Sequence, residues 1–307
     1  MSPTERMTQS PVQATLLALG AIVLWGSLAP LGVLLAHVPP FLLTGLGLLV
    51  GSLIALPLSG GKLSALRVPW PTLALGVYGL FGFHFLLFIA LRNAPPVQAN
   101  LVNYLWPLGI VLMAPLFVPG MRLRALHVAA AVMGFAGAVL AIVGGAASSA
   151  GASLQGGNVE WFTGWFAAGF AWGYLPALAS AFVWASYSLL TQRVAPFPTA
   201  AIGVFGLVSS VLSLACHALL EAPVQLSATD WVLIAAMGLG PLGAAFYLWD
   251  AALKRGDARQ IGVLSFLTPL LSTLALLWVR AEVPSWSVVG AAALIIGAAI
   301  LGSRAKA

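Results

Sequence analysis

Ten stretches of this chain run on with almost no charged side chain for about 20 residues, the length an α-helix needs to cross the hydrocarbon core of a bilayer. They cover roughly 12–36, 40–58, 70–91, 96–118, 125–145, 175–194, 200–220, 231–252, 258–279 and 285–303. Inside lipid every backbone N–H and C=O must find a partner within the chain, and long apolar runs do this as helices. Composition agrees: only 7% of the 307 residues are charged and 61% are hydrophobic, against about 25% charged in ordinary globular domains. The mean hydropathy is +1.03. Such a chain has too few polar side chains to build a water-facing exterior. A soluble enzyme, an extracellular disulfide scaffold and a disordered protein are excluded. The expectation is an all-α polytopic membrane protein with ten transmembrane helices. The single Cys216 leaves no intramolecular disulfide to form.

The first run stays apolar well beyond the ~7–15 residues of a signal-peptide core, so it reads as a retained helix. Basic residues then orient the chain. With the N-terminus cytoplasmic, that side receives Arg6, Lys62, Arg67, Arg122, Arg124, Arg193, Lys254, Arg255, Arg259, Arg304 and Lys306, and the other side only Arg92 and Arg280. Both termini are expected in the cytoplasm. The net charge of +6 is spread along loops rather than gathered on a solvated face, so it points to orientation in a membrane and not to nucleic acid.

The chain also resembles itself at a spacing of about 160 residues. Leu24-Trp25-Gly26-Ser27 matches Val183-Trp184-Ala185-Ser186. Trp70, Gly79 and Gly82 match Trp231, Gly240 and Gly243, and Ala90-Leu91-Arg92 matches Ala252-Leu253-Lys254. Tyr104-Leu105-Trp106-Pro107-Leu108 matches Phe266-Leu267-Thr268-Pro269-Leu270, and Gly137 matches Gly297. Each half holds five runs. Five is odd, so the second half enters the membrane inverted, the arrangement of transporters that bind substrate near mid-membrane between their halves. The expected organisation is a cytoplasmic N-terminus at 1–11, a first five-helix repeat at 12–145, a linker at 146–174, a second repeat at 175–303 and a cytoplasmic C-terminus at 304–307. The linker is rich in Gly, Ser and Ala up to Asn158. It continues with Trp161, Phe162, Trp165, Phe166, Phe170, Trp172 and Tyr174, an aromatic segment suited to the membrane interface.

Ten helices in two halves, with paired Trp-x-Ser positions and paired Pro107 and Pro269, resemble the EamA-type members of the drug/metabolite transporter superfamily. Val102-Asn103-Tyr104-Leu105-Trp106-Pro107 and Phe182-Val183-Trp184-Ala185-Ser186-Tyr187 are similar, more narrowly, to segments of the YddG-like aromatic amino acid exporters of bacterial inner membranes. The resemblance implies efflux of aromatic amino acids, with other amino acids and bulky organic cations as further cargo. It implies no cofactor, and partners limited to the small-molecule substrate and the lipid bilayer. Oligomeric state is left open.

Polar groups inside spans are costly and face a cavity or a partner helix. Gln98, Asn100, Asn103, Tyr104 and Trp106 crowd the fourth run. Asn100, Asn103, Tyr104 and Pro107 follow i, i+3, i+4, i+7 spacing and so predict one helix face; Trp184, Tyr187, Ser188 and Thr191 repeat that spacing in the sixth. A zwitterion with a flat side chain needs donors for its carboxylate, acceptors or π-faces for its ammonium and aromatic walls for its ring. The candidate substrate-binding residues are therefore His84, Asn100, Asn103, Tyr104, Trp106, Trp184, Tyr187 and Ser188, with Pro107 and Pro269 as kinks. The alternative for such residues is helix-to-helix bonding. His84 fits contact with substrate, proton uptake, or a neutral interhelical bridge. Trp25, Tyr78 and Tyr247 are weaker candidates. His217 is expected near a membrane interface, Asp250 paired with Lys254 or snorkelling, and Ser27 and Ser186 at close helix packing.

Catalytic patterns are missing. Ser186 and His217 lack a Gly-x-Ser-Gly context, and no His-Glu-x-x-His or Walker sequence occurs. No run carries a central Glu, Lys or Arg, which favours facilitated export over obligatory proton exchange.

Overall fold

The computed structural model describes residues 11–149 and 171–304. Among these residues there are helices, turns and loops, and no strand. Among the described residues nine helices are long and apolar enough to cross a membrane: α1 (Val12–Leu34), α2 (Pro40–Leu58), α3 (Trp70–Asn93), α4 (Pro96–Phe117), α5 (Ala125–Val143), α7 (Thr199–Leu220), α8 (Ala228–Leu253), α9 (Ala258–Val279) and α10 (Trp286–Arg304). The sixth, α6 (Tyr174–Leu190), is apolar but shorter. The sequence extends this run to residue 194, whereas the chain turns at Thr191–Arg193. Here Thr191 Oγ1 donates to the Ser188 carbonyl (2.8 Å) and draws the chain out of the helix.

Large apolar side chains face outward along these helices; Trp278 and Trp286 are 83% and 86% exposed. A water-soluble bundle would cover such rings, while a lipid surface accepts them. The helix interfaces carry small residues instead. α5 runs along α10 through Ala130, Ala131, Ala138, Ala141, Ala291 and Ala298, all fully buried. α2 lies against α7 and α8. A Cβ built on Gly51 of α2 would come within 2.7 Å of the Gly243 Cα on α8, so two backbones touch where only glycine fits. α1 packs on α8, α3 on α6, and α4 on α9.

Several spans are interrupted, each for a readable reason. In α4 the helix stops at Asn103 and restarts at Trp106. Pro107 has no N–H to give and its ring crowds the carbonyl four residues back. The same break falls at Ser265–Phe266 in α9, ahead of Pro269. α1 breaks at Ser27, whose Oγ donates to the Leu24 carbonyl (2.6 Å). α3 and α8 instead widen into π-helical turns, at Tyr78–Gly82 and Gly240–Ala244. The aromatic segment read at 161–170 lies outside the described residues; beyond it, Trp172 is exposed and Tyr174 opens α6.

Candidate functional site

Trp25 stands at the centre of a buried cluster of rings formed by α1, α4, α6 and α8. Its ring centroid lies 6.2 Å from Trp106, 5.7 Å from Trp184, 6.0 Å from Phe246 and 5.2 Å from Trp249. The rings also touch one another, Trp106 with Trp184 at 6.4 Å and with Trp249 at 5.7 Å, and Trp184 with Phe246 at 5.6 Å. Most meet edge to face, the geometry the ring quadrupole favours. Helix breaks help to place them: Trp25 comes just before the interruption in α1, and Trp106 just after that in α4.

Two of the four indole nitrogens of the cluster are tied to partners. Trp249 Nε1 donates to Ser188 Oγ (3.1 Å), and Trp25 Nε1 donates to the Pro241 carbonyl (3.1 Å). His84 lies at the edge, 5.1 Å from Phe83 and 6.2 Å from Phe246. Its Nδ1 donates to the Leu80 carbonyl (2.6 Å), which leaves Nε2 as the ring's acceptor. Tyr187 packs against Trp184 with ring centroids 5.4 Å apart and planes tilted by 42°.

Of the sequence-predicted residues, then, Trp106, Trp184, Tyr187, Ser188 and His84 come together around the rings. Asn103 does not join them: it is buried, and its Oδ1 accepts from Ser180 Oγ (2.9 Å), tying α4 to α6. The single face expected for Asn100, Asn103, Tyr104 and Pro107 is not continuous, because the helix breaks between Asn103 and Trp106. Asn100 and Tyr104 are only partly buried. Tyr78 bonds Ser186 Oγ (2.8 Å) and Tyr247 donates to the Gly51 carbonyl (3.1 Å), so both act between helices. Trp25 moves from a weaker candidate to the hub. Trp249, Phe246 and Phe83 are not among the sequence candidates. One signal was present for two of them: Phe246 and Trp249 sit at i, i+3 spacing just beyond Pro241.

A narrow cleft borders the cluster at Phe246, lined also by Leu48, Gly51, Leu80, Leu242 and Tyr247. The rings pack directly on one another.

Charged groups lie toward the helix ends. The Glu221 carboxylate, 2% exposed, takes bonds from Arg92 Nη2 (2.7 Å), His217 Nδ1 (3.0 Å) and the Phe41 and Leu42 amides (3.1 and 3.2 Å). Arg92 also sits 5.6 Å from the Phe41 ring centroid. Elsewhere Asp250 Oδ2 accepts from Lys254 Nζ (2.6 Å) and Thr199 Oγ1 (2.7 Å), and Lys254 lies 3.8 Å from the Phe197 ring centroid. The pairing of Asp250 with Lys254 matches the reading from sequence. Among the described residues, no three His, Cys, Asp or Glu side chains gather as metal ligands.

The model of the EamA-like transporter family matches this chain twice, at residues 13–143 and 171–303. The chain belongs to the EamA-like transporter family. Among curated EamA-like relatives, it is 43% identical over 293 residues, 94% of this chain and 96% of the other, to the aromatic amino acid exporter YddG of Ancylobacter novellus. It is 27% identical to the aromatic amino acid exporter YddG of Salmonella typhimurium, over 85% of this chain and 86% of that one. A solved crystal structure superposes with a TM-score of 0.83 at 42% identity, covering 96% of this chain and 98% of its own. This EamA-like chain is thus a multi-pass membrane transporter in fold and family.

Proposed function

We propose that this chain exports aromatic amino acids across a bacterial inner membrane, with the ring cluster as the seat for the cargo's side chain. The observation that carries the reading is four mutually packed indoles, contributed by four helices, in a bundle 43% identical to a protein named for aromatic amino acid export. A tryptophan or phenylalanine ring exchanges with such contacts at little net loss, because each edge-to-face contact given up is replaced by one to the ligand. His84 and Ser188 offer an acceptor and a hydroxyl beside the rings for the cargo's polar end.

The ten apolar helices form two inverted five-helix halves that alternate access to the two sides. Two family matches of similar length support this, as does the helix pairing. α1 on α8 and α6 on α3 exchange under a shift of five helices, while α2–α7, α4–α9 and α5–α10 map onto themselves. Both termini face the cytoplasm, supported by the distribution of basic residues. Pro107 and Pro269 mark equivalent breaks at which the halves flex. Transport is facilitated, and the chain performs no catalysis.

Proteoliposomes loaded with labelled tryptophan provide the test. Unlabelled phenylalanine and tyrosine are expected to compete, and alanine and glutamate to compete far less. Efflux inhibited equally by all four, or no efflux at all, would set aside the aromatic assignment in favour of a permease for another small metabolite or drug.

A further inference from the structure

Trp25 occupies two places at once. Its ring touches Trp106, Trp184, Phe246 and Trp249, while its only polar atom donates to the Pro241 carbonyl. Pro241 lies inside the π-helical turn Gly240–Ala244 of α8. Such a turn carries a residue more than the α-helical ladder accommodates, and proline removes one donor besides, so it is the point at which a span bends most readily. An indole clamped on its carbonyl opposes that bending.

The rest of the molecule repeats the arrangement with a different clamp. The π-helical turn of α3, Tyr78–Gly82, lies against α6. A Cβ built on Gly82 would lie 3.7 Å from Val183 Cγ1, as one built on Gly240 would lie 3.8 Å from Leu24 Cδ2. There Tyr78 and Ser186 join through their hydroxyls at 2.8 Å. Trp184, the counterpart of Trp25, belongs to the same ring cluster but does not hold the turn. Of the two clamps, only the one on α8 is made by a ring of the cluster itself.

We propose that Trp25 is a positioning residue that reports occupancy of the ring cluster to the α8 turn: a ligand ring that takes over its stacking partners draws the indole N–H off the Pro241 carbonyl and frees α8 to bend. The proposal rests on the ring cluster being the aromatic substrate's seat.

The test replaces Trp25 with Phe and, to keep the indole shape without its N–H, with benzothienylalanine. Three quantities are read on the purified full chain: the Kd for L-tryptophan, efflux turnover from proteoliposomes, and amide hydrogen exchange at residues 242–245 with and without L-tryptophan. In the wild type, L-tryptophan is expected to accelerate that exchange about 3- to 10-fold, the population change given by one net hydrogen bond. In the benzothienylalanine protein the exchange is already fast without ligand and no longer responds. Its Kd falls about 3- to 10-fold, since binding no longer has to break that bond, and its turnover shifts at least about threefold, since the bond is removed from one state of the cycle only. Exchange and turnover both unchanged from wild type would overturn the proposal. So would a loss of affinity while the exchange still responds to ligand, since Trp25 would then be only a wall of the seat. If wild type itself fails to bind L-tryptophan, the seat is misassigned and the proposal falls with it, a result visible before either variant is made.

Discussion

At the scale of single residues, the ring cluster separates contribution to fold from contribution to cargo. Truncating a buried Trp to Ala costs about 3–5 kcal/mol of packing, so Trp184→Ala is expected to lower both the folded yield and transport. Trp184→Phe keeps a ring in place and is expected to retain the thermal midpoint within a few degrees. Its affinity for tryptophan should fall about 2- to 13-fold, as loss of one aromatic contact of 0.5–1.5 kcal/mol implies. Scintillation proximity binding beside a melting curve in detergent checks both. Glu221 supplies the contrasting case. Glu221→Gln leaves Arg92 and His217 facing a neutral amide and two helix amides with a poorer acceptor, and is expected to destabilise by about 1–3 kcal/mol with affinity for tryptophan unchanged. A melting midpoint equal to wild type would show that Glu221 does not hold these helices together.

Trp106 and Trp184 were readable from sequence because a Trp next to a helix-breaking Pro, or inside a repeated Trp-x-Ser, stands out against an apolar background. Trp249 was not, since it lies next to Asp250 and the ion pair with Lys254 draws the eye to charge. Asn103 misled in the opposite way. An amide within a span signals a hydrogen bond, but only coordinates distinguish a bond to Ser180 from one to a ligand.

Among the helices, the proline breaks were legible and the π-helical turns were not. Pro107 and Pro269 each remove a specific hydrogen bond, so the break follows from covalent chemistry. A π-helical turn follows from where side chains pack over several turns. The repeated glycines at 79, 82, 240 and 243 indicated only that something lay close. What lies close can be tested. Gly51→Ala would place a methyl 2.7 Å from the Gly243 Cα, a backbone atom that cannot swing aside. The expected cost is about 1–3 kcal/mol, seen as a lower midpoint in fluorescence-detected size exclusion. Gly290, with nothing within 4 Å of an added methyl, is the control: Gly290→Ala is expected to match or slightly exceed wild type.

For the whole molecule, the sequence reads ten spans. Nine of the described helices are long and apolar enough to cross a membrane, each within a few residues of its expected run, and α6 is shorter. The agreement arises because hydropathy over about 20 residues reports directly on solvation by lipid. The fit of one half to the other was not legible in the same way, because it depends on contacts made across about 160 residues of chain. The absence of a central Glu, Lys or Arg bears on energetics at this scale. Labelled tryptophan efflux from proteoliposomes is expected to proceed at a rate within about twofold with or without an imposed pH gradient, as spans without a central Glu, Lys or Arg imply. A substrate-dependent proton flux of comparable size would overturn facilitated export.

The two cation-on-ring contacts, Arg92 over Phe41 and Lys254 over Phe197, sit at matching positions but are fastened differently. Lys254 is held by a carboxylate one turn back on its own helix, and so travels with it. Arg92 is held by a carboxylate from a helix of the other half, and parting those halves means exposing both charges to be hydrated separately. At the end that holds Lys254, Arg193 donates to the Leu116 carbonyl (3.0 Å) and Arg259 to the Arg122 carbonyl, so that end is joined through neutral acceptors and the Arg92 end through a carboxylate. Bonds of unlike character thus join the two family-matched segments at their two ends.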